Sequence, residues 1–225
     1  MDLNKLSELE RKLNIHFKNH DLLLEALTHR SYLNERPDWP LNHNERLEFL
    51  GDAVLELVVT EHLFKNHKDP EGVLTSWRAA LVNSDMLAEI SQKLDLNEYI
   101  LLSHGEKKDM GRARQYILAN ALEAIIGAIY LDQGYEETRK LIEAVILPEF
   151  PRIIEQELYK DAKSIFQEEA QEKAGVTPSY KVLDEWGPDH SKQFKVGVFL
   201  NGKLAGIGFG PSKQEAQQKA AEDAL

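Results

Sequence analysis

Through residue 160 the apolar positions recur at intervals of three and four, and strict alternation is absent. That period marks amphipathic α-helices with one face turned to a core. It predicts helices over residues 3–13 and 21–27, then a long one over 43–67 with Asn42 or Asn44 to cap it. Pro70 is placed to start the next, which carries Leu74, Trp77, Leu81 and Val82. Ser84 is placed to cap a helix through Leu94, and residues 103–111 read as a polar, glycine-containing loop. Residues 115–131 are apolar on almost every face, as in a buried central helix, and Gly134 closes them. Helices over 136–146 and 153–159 complete a bundle, with Pro148 and Pro151 breaking the last long stretch.

After Asp161 the texture changes. Residues 162–174 read as a helix with Ile165, Phe166 and Ala170 inward, and residues 178–186, 193–201 and 203–210 alternate like strands. Asn201-Gly202 is a strong two-residue hairpin signal, and Ser212 can cap an alanine-rich helix over 213–225. The expected fold class is mainly α with a C-terminal α+β domain. An all-helical domain spans 1–157, an α-β-β-β-α domain spans 160–225, and the hinge falls within 156–163. No internal repeat or low-complexity segment interrupts this order.

The chain has 225 residues, ample for a real core. No apolar run reaches the roughly 20 residues that span a bilayer, and no signal-peptide pattern opens the chain, so no membrane association and a cytoplasmic setting are expected. It has no cysteine, which excludes disulfides, thiolate metal sites and cysteine nucleophiles. The net charge of −11 alone argues against a polyanion partner. Its distribution changes that picture. Residues 1–160 hold 28 acids against 19 bases, whereas 161–225 hold 10 against 8. Between His190 and Gln214 stand Lys192, Lys195, Lys203 and Lys213, with no acid.

The first chemical signal is the segment His43-Asn-Glu-Arg-Leu-Glu-Phe-Leu-Gly-Asp-Ala-Val-Leu55. On a helical wheel Glu45, Glu48 and Asp52 fall within about 60° of one another, with Leu47, Leu50, Val54, Leu57 and Val58 opposite. No base stands three or four residues from Glu48 or Asp52. Such a stripe is either a solvated acidic face or part of a cation site. Asn120 and Glu123 are a polar pair on an otherwise apolar helix, and polar groups are expensive to bury without a partner. Gly127 on the same face would admit the helix of residues 43–67 closely. Crowded oxygens of this kind suit Mg2+. The competing reading has Glu123 neutralised by Arg112, Arg114 or His29. Phe49, beside the carboxylates, either anchors a partner or packs beneath a loop of its own chain.

The same segment resembles the signature of bacterial ribonuclease III, the double-strand-specific endonuclease. Further blocks follow in the family's order: Ala26-Leu-Thr-His-Arg-Ser-Tyr32, Glu71-Gly-Val-Leu-Thr75 with Arg78, Leu81-Val-Asn83, Gly105-Glu106, Gly111-Arg112 and residues 117–132. The resemblance implies that Glu48, Asp52 and Glu123 bind Mg2+, for which Mn2+ can substitute, with Asp52 and Glu123 catalytic. Asn120 stands where the family usually has a fourth metal-binding acid, an aspartate. Glu45 and Glu71 match acids linked to substrate handling and subunit contact. Phe49 matches an aromatic that plugs a socket in the second subunit of a homodimer. The implied reaction cuts double-stranded RNA to 5′-phosphate products with short 3′ overhangs, in processing of ribosomal RNA precursors and other structured transcripts. His29 and His43 read as structural.

The α-β-β-β-α segment resembles the double-stranded RNA-binding domain, which reads A-form shape across about 16 bp. The resemblance places Gln167, His190 and Ser191 at minor-groove contacts. It places Lys213, Gln214 and Gln217 at the phosphates, where a helix N-terminus adds partial positive charge. That region usually holds several lysines, so two glutamines there imply fewer ionic contacts.

Overall fold

The structure, a computed structural model, describes residues 3–108, 111–160, 162–188 and 191–225. The chain forms two compact units, Met1–Tyr159 and Lys160–Leu225. The first holds helices α1 (Leu3–Leu13), α2 (His20–Ala26), α3 (Arg30–Glu35), α4 (Glu45–Asn66) and α5 (Glu71–Val82). It continues through α6 (Ser84–Lys93), α7 (His104–Lys108), α8 (Arg112–Gln133), α9 (Tyr135–Val145) and α10 (Phe150–Glu155). Helix α8 is the axis. Leu118, Ala121, Leu122, Ala124, Ile125, Ile126, Ala128 and Ile129 are all buried, and α2, α4, α6 and α9 pack around it. Among the described residues no helix is long and apolar enough to cross a membrane.

Several local expectations are corrected. Helix α4 starts at Glu45, and Asn44 does not cap it with its side chain. Buried Asn44 instead ties the preceding segment down, donating from Nδ2 to the Ala26 carbonyl (3.3 Å) and from its backbone N–H to Thr28 (2.9 Å). Asn83, not Ser84, caps α6, its Oδ1 accepting from the Met86 N–H at 2.9 Å. The glycine-containing loop holds the short helix α7. Pro151 lies at the start of α10, where its missing N–H costs nothing, so that helix begins and ends earlier than 153–159. Helix α3, six residues long, is too short to show a period, and His29 caps it by accepting from Ser31.

The second unit runs α11 (Ala162–Ala174), β1 (Ser179–Trp186), β2 (Gln193–Leu200), β3 (Lys203–Gly210) and α12 (Lys213–Ala224). The strands form an antiparallel sheet in the order β1-β2-β3. Asn201 and Gly202 both have positive φ (49° and 78°), the backbone of a type I′ turn, and Leu200 pairs with Lys203 across it. Ser212 caps α12 by accepting from Glu215 at 3.1 Å. Phe166, Val196, Val198, Ala216, Ala220 and Ala221 form the core on one face of the sheet. Helix α12 lies flat there because β3 presents glycines to it. A Cβ at Gly208 would come within 2.2 Å of the Ala216 carbonyl oxygen. Gly208→Ala is therefore expected to destabilise this unit by about 1–3 kcal/mol. Urea denaturation checks it, with faster hydrogen exchange at β2 and β3 amides as the local readout.

Candidate active site and nucleic-acid surface

Helices α4 and α8 meet backbone to backbone. A Cβ on Gly51 would lie 1.7 Å from the Glu123 carbonyl oxygen, and one on Gly127 would lie 2.2 Å from that of Leu47. One turn forward on α4, from Leu47 to Gly51, moves the contact one turn back on α8, from Gly127 to Glu123. The pair is antiparallel. Such a crossing is closer than the roughly 8–10 Å that ordinary side chains impose.

This contact turns α4 about its axis relative to the sequence expectation. Gly51, Val54, Leu55, Val58 and Val59 are buried, while Leu57, expected inward, is exposed. The buried face is centred near Gly51 and Leu55, so Glu48 and Asp52 stand at its margin rather than opposite it. There they meet the polar pair of α8. The Asn120 side chain is hydrogen-bonded to Glu48, and Asp52 and Glu48 act electrostatically on Glu123.

The electrostatics are unfavourable as they stand. Burial, then the charges of Asp52 and Glu48, push Glu123 up to about 8. Glu48 is raised by burial and by Glu45, partly offset by its bond from Asn120. Among the described residues no base relieves Glu123. Arg114 donates from Nε to Asn97 at 2.7 Å, and His29 is engaged with Ser31. The Arg112 side chain lies outside the described residues.

The donors fit a hard divalent cation: three carboxylates and an amide, all oxygen ligands, with excess negative charge. As placed, no group of three or more His, Cys, Asp or Glu among the described residues is close enough to hold one. Closing the set requires rotation of half-buried Glu48 and exposed Asp52 between staggered side-chain conformations.

The remaining acids lie apart. Glu45 faces Arg30 (3.6 Å) and His43 (3.8 Å), although its charge still reaches Glu48. Glu71 lines a different concavity, with Thr60, Phe64 and Arg78, which begins about 12 Å along α4 from Asp52. Phe49 is 81% exposed and does not pack beneath its own chain. It borders a depression of about 650 Å3 shared with Leu22, His43, Leu50 and Leu131.

In the second unit Gln167, Ser191, Lys213 and Gln214 are exposed, and His190 lies outside the described residues. Gln217 is engaged, its Oε1 accepting from Lys163 Nζ at 2.9 Å. Lys163 thus joins Gln217 as a cation that the sequence reading, which put it in a hinge, did not assign. Lys213 stands 5.7 Å from the Phe194 ring centroid, and Lys192 pairs with Glu185 at 3.0 Å.

Comparison with known proteins agrees across the chain. A family model described as "Ribonuclease-III-like" matches residues 19–150, and one described as "Double-stranded RNA binding motif" matches 162–225. A protein named Ribonuclease 3 from Nitratiruptor sp. is 46% identical over 224 residues, covering 99% of this chain and 96% of its own. Its namesake from Sulfurovum sp. is 48% identical over 225 residues, covering 99% of this chain and 98% of its own. The solved nuclease domain of ribonuclease III from Campylobacter jejuni superposes with a TM-score of 0.58 at 46% identity, over 65% of this chain and 99% of its own. That work describes a flexible region involved in dimer formation.

Two outcomes follow from the geometry. Gly51→Ala is expected to lower stability by at least about 1–3 kcal/mol in urea denaturation. Gly72→Ala, whose Cβ would meet nothing within 4 Å, is the near-neutral control. The second concerns pH. An acid whose folded pKa is raised from 4.5 to about 8 holds a proton that the unfolded chain releases. Stability of the metal-free protein therefore falls as pH rises from near 4.5 through about 8. Melting in EDTA should show a smaller fall for Glu123→Gln, and Mg2+ at the upper end should restore the unsubstituted chain. Equal pH slopes for the two proteins would contradict the burial of Glu123 against Asp52 and Glu48.

Proposed function

The chain belongs to the ribonuclease III family, and on that premise we propose that it is a homodimeric, Mg2+-dependent endoribonuclease acting on double-stranded RNA. The observation that carries the reading is the α4–α8 crossing, which brings Glu48 and Asp52 to Asn120 and Glu123 with no base among the described residues to relieve Glu123. Its products are 5′-phosphate ends with short 3′ overhangs, and its substrates are ribosomal RNA precursors and other structured transcripts in the cytoplasm. Phe49, exposed beside the acids, is the anchor offered to the second protomer. Glu45 and Glu71 serve the substrate cleft.

The chain's own residues divide the work. Glu48, Asp52, Asn120 and Glu123 would hold the cation, with Asp52 and Glu123 nearest the chemistry. When bound, Mg2+ supplies a water of lowered pKa and stabilises charge at the departing oxygen. Asn120 orients Glu48 by donating to it, and the Gly51–Gly127 contact fixes the spacing of the two helices. In the second unit Gln167, His190 and Ser191 face the minor groove, while Lys163, Lys213, Gln214 and Gln217 face phosphate. Two cations in that set give a shallow salt dependence, with a log–log slope near −2 at ~0.9 per contact. Lys163→Gln should reduce it by about one.

Asparagine at position 120 lacks the charge of the family's usual aspartate, so the cation requirement is raised. Asn120→Asp is expected to shift the Mg2+ dependence of duplex cleavage to lower concentration. It is also expected to lower the metal-free melting temperature, because a fourth acid adds to the repulsion. Identical Mg2+ curves would refute the role of Asn120. The reaction itself is tested with end-labelled duplex RNA and end analysis of the products. Cleavage should require Mg2+ and fall by more than about 100-fold in Glu123→Gln, while duplex binding persists. Binding without cleavage at any Mg2+ concentration would replace the enzyme with a binding protein.

A further inference from the structure

The sheet of the second unit has a covered face and an open one. Val196 and Val198 point to the helices; their strand neighbours Lys195, Gly197 and Phe199 point away. Strand register sets Lys181 opposite Gly197, Asp184 opposite Lys195, and Phe209 opposite Lys195 on its other side. The open face therefore carries Trp186, Phe209 and Leu204, which are 46%, 51% and 50% exposed, together with Leu183 and Phe199. Gly197 keeps its middle low. Leu183, Leu204 and Phe199 close over the glycine, each within about 3.0 Å of where a Cβ would stand.

Cations are interleaved with these rings. Lys195 Nζ lies 5.6 Å from the Phe209 ring centroid, and Lys181 Nζ lies 5.4 Å from that of Phe199. Trp186 and Phe209 meet edge to face at 6.3 Å. The acid on this face, Asp184, accepts from the backbone N–H of Glu185 at 2.9 Å. Among the described residues the patch has two lysines and one acid, a basic balance in a chain of net charge −11.

We propose that this open face binds unpaired nucleotides of RNA, with Trp186 and Phe209 as stacking rings and Lys181 and Lys195 as phosphate contacts. Protein interfaces are depleted of lysine at their centres. Exposed rings interleaved with amines instead match strands whose bases are free to stack and whose backbone is anionic. A duplex hides its base faces, so this surface serves a different ligand from the α11–α12 surface. The choice of RNA over DNA rests on the reading of the chain as an RNA enzyme; the stacking argument does not.

The test uses the full chain in EDTA, so that nothing is cleaved, with fluorescence anisotropy of two probes: a labelled short oligouridylate and a blunt duplex RNA. Trp186→Ala/Phe209→Ala is expected to weaken oligouridylate binding about tenfold and leave duplex affinity within about twofold. Trp186→Phe, which keeps a ring, should retain most of the affinity, and Lys195→Gln should reduce the salt slope by about 0.7. Equal oligouridylate affinity before and after the double substitution overturns the proposal. So does parallel loss of duplex binding. So does loss of self-association in light scattering with oligouridylate affinity unchanged, which would make the occupant a second copy. A chain that binds oligouridylate in this ring-dependent way but not the blunt duplex upholds the proposal and overturns the duplex reading instead.

Discussion

Gly51 and Gly127 lack side chains, and this lets α4 and α8 touch through their backbones at the centre of the first unit. The consequence is positional. Residues on either side of such a contact are brought nearer than bulkier packing allows, and here they are Glu48 and Asp52 on one helix, Asn120 and Glu123 on the other. The same contact rotates the buried face of α4 toward the acids, which leaves Leu57 exposed and carries Glu48 part-way under cover. Burial of Glu123 beside two other carboxylates is then a product of helix packing, and its displaced pKa follows from it.

Several acids elsewhere in this unit are matched by bases. Arg139 joins Glu136 and Glu143 on α9, and Arg152 links Glu89 to Glu149. At the crossing three carboxylates lie together with no base relieving Glu123 among the described residues, which destabilises the fold without metal and favours a cation. The net charge of −11 reads differently once it is placed. Most of it lies in the first unit, which also holds the proposed oxygen ligands, while the second unit offers Lys163 and Lys213 on one surface and Lys181 and Lys195 on another.

Much of this was legible from residue order alone. Period-three-and-four patterning located the long helices because each buries a wide stripe over several turns. Asn201-Gly202 located the hairpin because few residues tolerate two successive positive φ values. What escaped was short or depended on a second element. Helix α3 has too few turns to show a period, and Asn83 displaced Ser84 as a cap by a single position. The rotation of α4 could not be read from its own wheel, because α8 sets it. Lys163 carries no motif; only the fold of α11 against α12 brings it to Gln217. Asn120 was visible, but its bond to Glu48 needed both helices.

On the proposed function, helix packing assembles an oxygen site for a divalent cation. Crystals grown with Mn2+ and measured at its absorption edge test it without reference to activity. An anomalous peak is expected between the carboxylates of Glu48, Asp52 and Glu123, lost in Glu123→Gln. A fully occupied peak elsewhere on the chain, with none at this crossing, would contradict it.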